Sequence, residues 1–215
     1  MAEREPWLGT FAPLALPAFA LGLSFGVLAS QAGLSVAGAT IMSATSYAGS
    51  AQFAAVSLLG AGSGIGVAVT AASLLNLRYT PMGIAVAPWF TGPPLRRFLE
   101  SQMLVDESWI LAQKPDGTFD KGLMLRIGLA FYAVWVTSTA LGATFGASIG
   151  ALEPWGLDAI VPAMFLGLLM PRLRDRDDRR VTFVAAALAL VATPFTPQGL
   201  PVLIGMLAVV AGRRK

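Results

Sequence analysis

Apolar residues run through this chain in long blocks, interrupted by short polar or Gly/Pro-rich stretches. The blocks fall near 9–29, 35–59, 65–89, 122–149, 155–171, 180–194 and 199–212. Most approach the ~20 residues a helix needs to cross a bilayer. The last two are short and punctuated by Pro194, Pro197 and Pro201, so they form either two spans or one re-entrant hairpin. Both readings leave the C-terminus on the same side. The pattern predicts an all-α polytopic membrane protein of about seven transmembrane helices, with residues 1–215 as a single domain. Charged residues make up only 13% of the chain, against roughly 25% in soluble domains. The N-terminal MAEREPWLGT sets Arg4 between Glu3 and Glu5 ahead of a long apolar run. It reads as an uncleaved first span rather than a signal peptide.

Charge then orients the spans. With seven crossings, Arg4 stands on one side. Arg96, Arg97, Lys114, Lys121, Arg126, Arg172, Arg174, Arg176, Arg179, Arg180, Arg213, Arg214 and Lys215 stand on the other, and Arg78 lies inside a span. Basic loops stay cytoplasmic, so the N-terminus is expected outside and the C-terminus inside. Trp7, Trp89, Trp109 and Trp155 fit interfacial positions, whereas Trp135 sits mid-span, where packing is the plainer role. Segment 92–121 joins two groups of spans on the cytoplasmic side. Leu95, Phe98, Leu99, Val105 and Trp109 recur in it at near-helical spacing, which predicts an interfacial helix, with an irregular loop as the alternative.

A short motif recurs. Ala20-Leu21-Gly22-x-x-Phe25-Gly26 returns as Ala140-Leu141-Gly142-x-x-Phe145-Gly146. Three spans separate the copies, so repeats 9–89 and 122–194 would be inverted relative to each other. The same glycines also suit close helix packing.

Polar groups concentrate where lipid would penalise them. Ser43, Ser46, Tyr47 and Ser50 fall at i, i+3, i+4 and i+7 of the second span, and Thr40 and Ser57 extend the face. Single hydroxyls in spans often serve packing. A continuous stripe predicts a wet cavity. Gly49 and Gln52 follow Tyr47, at a place where the helix could open. In the third span, Asn76, Arg78, Tyr79 and Thr80 precede Pro81, which removes a backbone donor. Arg78 is either a clamp for a substrate carboxylate or one more cytoplasmic charge. The expected substrate-binding set is Ser43, Ser46, Tyr47, Ser50, Gln52, Asn76, Arg78 and Tyr79. Asp106 and Glu107, the acidic pair beside the apolar stripe, are candidates for gating or for carrying a coupled proton, and a solvated pair near Arg96 and Arg97 is the plainer reading. Glu153 and Asp158 need only a capping role at the fifth span.

The chain contains no Cys and no His. This removes thiolate metal sites, disulfides and the Ser-His-Asp triad. No metal site and no cofactor are expected. The basic balance reads as topology rather than nucleic-acid binding. The Gly60-to-Gly66 run matches neither phosphate-loop pattern.

MSATSYAGSAQFAAVSLL, followed by LLNLRYTPMGIAVAP and then VDESW, resembles the AzlC family, the large subunits of branched-chain amino acid exporters (azaleucine-resistance permeases). The likeness spans roughly residues 10–175. It implies a non-enzymatic secondary exporter of leucine, isoleucine and valine, with methionine a further candidate. It also implies proton coupling, a small membrane subunit of the AzlD type, and a multi-pass location in the bacterial cytoplasmic (inner) membrane. Two other classes are weighed against it. A scaffold subunit would not need the polar stripe. An intramembrane enzyme would need a Ser-Lys dyad, and no Lys lies in a span.

Overall fold

The computed structural model describes residues 6–149 and 172–196, together with positions 166, 169, 170, 201, 204, 205, 207 and 208. The expected spans at 155–171 and 199–212, Trp155, Glu153 and Asp158 lie wholly or largely outside the described residues. The architecture is helical. One isolated bridge, Gln113 with Phe119, is the only extended pairing among the described residues.

Two long helices form the frame: α1 (Pro6–Gln31) and α8 (Lys121–Ile149). Both are long and apolar enough to cross a membrane. At 1.5 Å per residue they reach roughly 40 Å, beyond the ~30 Å hydrocarbon core. They pack directly on each other, and the contact is made by the two copies of the repeated motif. A Cβ on Gly26 would overlap the Thr139 carbonyl and lie 2.6 Å from the Ala143 nitrogen. One on Gly142 would overlap the Leu23 carbonyl, and one on Gly146 would meet Val27 and Ser30. Backbone therefore touches backbone, which only glycine allows. Phe25 is fully buried at this crossing whereas its counterpart Phe145 is exposed, so the two copies are not equivalent in their surroundings.

The segments expected as the second and third spans are each broken. The segment expected as the second consists of α2 (Val36–Ser46) and α3 (Gly49–Gly60), which fold back as a hairpin: Gln52 reaches Ser43 across the turn, and Gly60 returns to Ala32 beside the start of α2. Between them Tyr47 adopts φ 39°, ψ 49°, the left-handed region, the only non-glycine described to do so. The third consists of α4 (Ile65–Asn76) and α5 (Tyr79–Val86). Its interruption is gentler. Pro81 has no N–H to offer the Leu77 carbonyl, which instead accepts from Thr80 at 3.0 Å in a tightened turn.

The expected single stripe over 95–112 is two short helices, α6 (Pro94–Ser101) and α7 (Asp106–Ala112). Ser108 causes the split. Its hydroxyl donates to the Met103 carbonyl at 2.8 Å and accepts from the Val105 N–H at 3.0 Å, which fixes a turn where the stripe would continue. On α6, Leu95, Phe98 and Leu99 face outward. Glu100 pairs with Arg96 one turn earlier on the same helix (2.9 Å) and ties the helix to Lys121 at the start of α8 (2.6 Å). Trp89 meets Phe119 edge-on and Trp109 meets it at a tilt near this end, at centroid distances of 5.5 and 5.4 Å. Past residue 171, α9 (Arg176–Ala192) begins with Asp175 accepting from Asp177 and Asp178 at its N-terminus.

The interior holds Ser24, Ser43, Gln52, Ser108, Ser138 and Thr139, while Leu16, Ile65, Ile84 and Leu190 are exposed. Exposed large apolar faces wrapped around a polar-bearing core suit an apolar surrounding.

Candidate functional site

Both helix breaks open onto one cavity of about 300 Å³. α1 contributes Ala18 and Leu21. The α2–α3 segment contributes Tyr47, Gly49, Ser50 and Phe53. Arg78 and Tyr79 come from the second break, Val105, Asp106 and Glu107 from the start of α7, and Phe131 and Trp135 from α8. The lining thus combines ionic and hydroxyl groups with apolar and aromatic ones.

The α2–α3 break stays open because other groups take over its backbone bonds. The Ala44 carbonyl accepts from the Tyr132 hydroxyl at 2.9 Å. The Ala48 N–H donates to Gln52 Oε1 at 3.2 Å, and Trp135 Nε1 donates to the same oxygen at 3.1 Å. Gln52 Nε2 then donates to Ser43 Oγ at 3.0 Å, which shares a bond with Thr139 at 2.9 Å. The Tyr47 hydroxyl donates to the Gly128 carbonyl at 3.0 Å, and its ring meets Tyr132 edge-on. A bulky left-handed residue is strained, and strain of this kind persists only where neighbours over-determine it. Here α8 supplies those neighbours.

Arg78 is neither a free clamp nor a loop charge. Its Nη2 lies 2.8 Å from Asp106 Oδ2, both side chains are largely buried, and the guanidinium sits over the Tyr79 ring. The same nitrogen donates to the Tyr79 hydroxyl at 3.2 Å. Among the described residues, the Nε edge is buried with no acceptor, and Ser50 Oγ and Asn76 Oδ1 are buried without partners as well. Groups of this kind cost about 1–3 kcal/mol each when left unmatched. Two of the three belong to residues that line the cavity. Glu107 faces it too, and no cation pairs with it among the described residues. In α7, between the spans, burial and then the neighbouring Asp106 charge push the Glu107 carboxyl up to about 7. Burial also raises Asp106, outweighing the opposing pull of Arg78.

Of the residues expected from the sequence, Tyr47, Ser50, Arg78, Tyr79, Asp106 and Glu107 meet at the cavity. Ser43 and Gln52 do not line it. They are sealed between α2, α3 and α8, because the break needs their hydrogen bonds. Ser46 is exposed although it lies on α2 with buried Ser43, and the left-handed turn at Tyr47 separates both from Ser50. Asn76 is half-buried and does not line the cavity. Asp106 and Glu107 are not a solvated pair near Arg96. Asp106 reaches Arg78 instead, and Arg96 is held by Glu100. Trp135, expected to serve packing alone, both lines the cavity and braces Gln52. Its spacing of four from Phe131 was the available signal.

The sequence profile of the family described as "AzlC protein" matches residues 13–149, a region that holds every residue of the cavity. The chain belongs to the AzlC family. An "Uncharacterized membrane protein" of Helicobacter pylori (strain J99) is 25% identical over 174 residues, covering 80% of this chain and 76% of that protein. One of the same description from Archaeoglobus fulgidus is 29% identical over 194 residues, 87% of this chain and 84% of that protein. The "Branched-chain amino acid transport protein AzlC" of Bacillus subtilis is 29% identical over 163 residues, 72% of this chain and 63% of that protein. No solved structure matches the chain. Family membership rests on the stretch that includes both broken helices and the acidic pair, so the cavity belongs to the shared part of the AzlC chain rather than to its C-terminal third.

Proposed function

We propose that this AzlC protein is a secondary transporter that exports branched-chain amino acids across the bacterial cytoplasmic membrane. The observation that carries the reading is the cavity's two-sided chemistry. Among the described residues, a buried guanidinium edge without an acceptor and a carboxylate without a cation share one cavity with apolar side chains. That is the complement of a zwitterion with an oily side chain. The substrate carboxylate binds the free Nε edge of Arg78 and Ser50, and the ammonium binds Glu107. Leu21, Phe53, Val105 and Phe131 hold the side chain. The volume sits at the small end of ligand pockets. Adding or removing a methylene is worth only about 1–3 kcal/mol, so leucine, isoleucine, valine and methionine all enter.

Glu107 supplies the coupling. A proton and the substrate ammonium compete for one carboxylate, so protonation releases substrate and deprotonation admits it. Such competition gives exchange of an incoming proton for an outgoing amino acid. α1 and α8 run parallel, with Phe11 beside Phe131 at one end and Gly146 beside Val27 and Ser30 at the other, so the two motif copies are related as parallel rather than inverted repeats, and α1 starts at the end where α8 starts. A small membrane subunit of the AzlD type completes the complex. The relative from Bacillus subtilis, named for branched-chain amino acid transport, supports the substrate class.

Leucine flux into proteoliposomes under an imposed pH gradient, with and without the small subunit, tests the reading. Flux above empty liposomes is expected, with loss of at least tenfold in Arg78→Ala at unchanged membrane insertion. A scaffold would give no flux in either preparation, and full flux in Arg78→Ala would remove that residue from the site.

A further inference from the structure

The charge balance of the cavity points beyond amino acids. Arg78 already has a carboxylate within the chain, Asp106 at 2.8 Å. The two cancel. The charge left facing the cavity without a counterion, among the described residues, is the Glu107 carboxylate. The same cavity is lined by the aromatic side chains of Tyr47, Phe53, Tyr79, Phe131 and Trp135. Aromatic faces attract cations when water is excluded. A zwitterion must share Arg78 with Asp106, because two carboxylates then address one guanidinium. A ligand that carries only an ammonium group has no such conflict, and it neutralises the site by binding Glu107 alone.

We propose that the cavity also accepts apolar primary ammonium ions that lack a carboxylate, with Asp106 standing permanently where a substrate carboxylate would otherwise be required. Isopentylamine, the leucine skeleton without its carboxylate, is the natural probe. The inference rests on the cavity assigned above as the substrate site, but it makes a separate demand on that cavity. It assigns the amine to Glu107, whereas amino-acid transport needs Arg78 as well.

The test is equilibrium binding to the full-length purified protein in nanodiscs at pH 8, comparing isopentylamine, leucine and 4-methylpentanoate. At this pH a simple alkyl amine is still protonated, given an ordinary amine value of about 10. Isopentylamine is expected to bind within tenfold of leucine, and 4-methylpentanoate, which has the carboxylate without the amine, at least tenfold more weakly than either. Glu107→Gln should weaken the amine by more than tenfold, with Glu107→Asp restoring part of the loss. The panel on the unaltered protein decides the matter even if a variant fails to fold. Leucine binding without amine binding overturns this inference and leaves the transport reading intact. Amine binding without leucine binding does the reverse. Amine binding undiminished in a folded Glu107→Gln protein also overturns the inference.

Discussion

The α1–α8 crossing allows one substitution to be made at two glycines with opposite outcomes. Gly26 and Gly83 both lie inside helices. At Gly26, a methyl group would overlap the Thr139 carbonyl and sit 2.6 Å from the Ala143 nitrogen and 2.9 Å from the Gly142 carbonyl carbon. All three are backbone atoms, so no rotamer change relieves the clash and the helices must separate. Overpacking of this kind costs about 1–3 kcal/mol, opposed by up to about 1 kcal/mol of improved helix propensity. At Gly83 an added Cβ meets nothing within 4 Å. Only the propensity gain of up to about 1 kcal/mol remains there. For a chain of this size, 1 kcal/mol moves the midpoint by roughly 2–4 °C. Gly26→Ala should therefore lower the melting temperature of the detergent-purified protein by several degrees, followed by intrinsic tryptophan fluorescence. Gly83→Ala should leave it unchanged or raise it slightly. Equal shifts in the two variants, or a more stable Gly26→Ala protein, would refute the backbone-on-backbone crossing.

Two further outcomes follow from the site. Gln52→Leu strands the Ala48 N–H and the Trp135 indole N–H, each at about 1–3 kcal/mol, whereas Gln52→Glu keeps an acceptor for both. Thermal melts should show the larger loss in the leucine variant, and a reversed order would discard the bracing role. The Glu107 carboxyl is raised to about 7, so it gains its proton as pH falls through that value. Leucine affinity should be level above about pH 8 and weaken by up to tenfold per unit below about pH 7, and Glu107→Gln should flatten the profile. A profile unchanged by that substitution would take Glu107 out of the coupling.

The sequence alone determined the helical class, the candidate spans and the two places where they fail. Lipid-length apolar runs and the scarcity of charge follow from composition. Pro81 and the Tyr47-Ala48-Gly49 stretch mark the breaks through local backbone chemistry. The repeated glycine motif was legible too, although its meaning was not, because helix packing and symmetry leave the same trace in one dimension. Only tertiary structure decided the partners. Ser43 and Ser50 share a hydroxyl and a helix face in the sequence, yet one is sealed against Thr139 and the other lines the cavity. The left-handed turn at Tyr47 falls between them and rotates one away from the other. Asp106 lies 28 positions after Arg78, and no periodicity links them. Their ion pair exists because α7 folds back against α8, which places a charge from a connecting segment inside the bundle. Hydropathy reports how much a residue would lose in lipid, but not which group stands opposite to recover that loss.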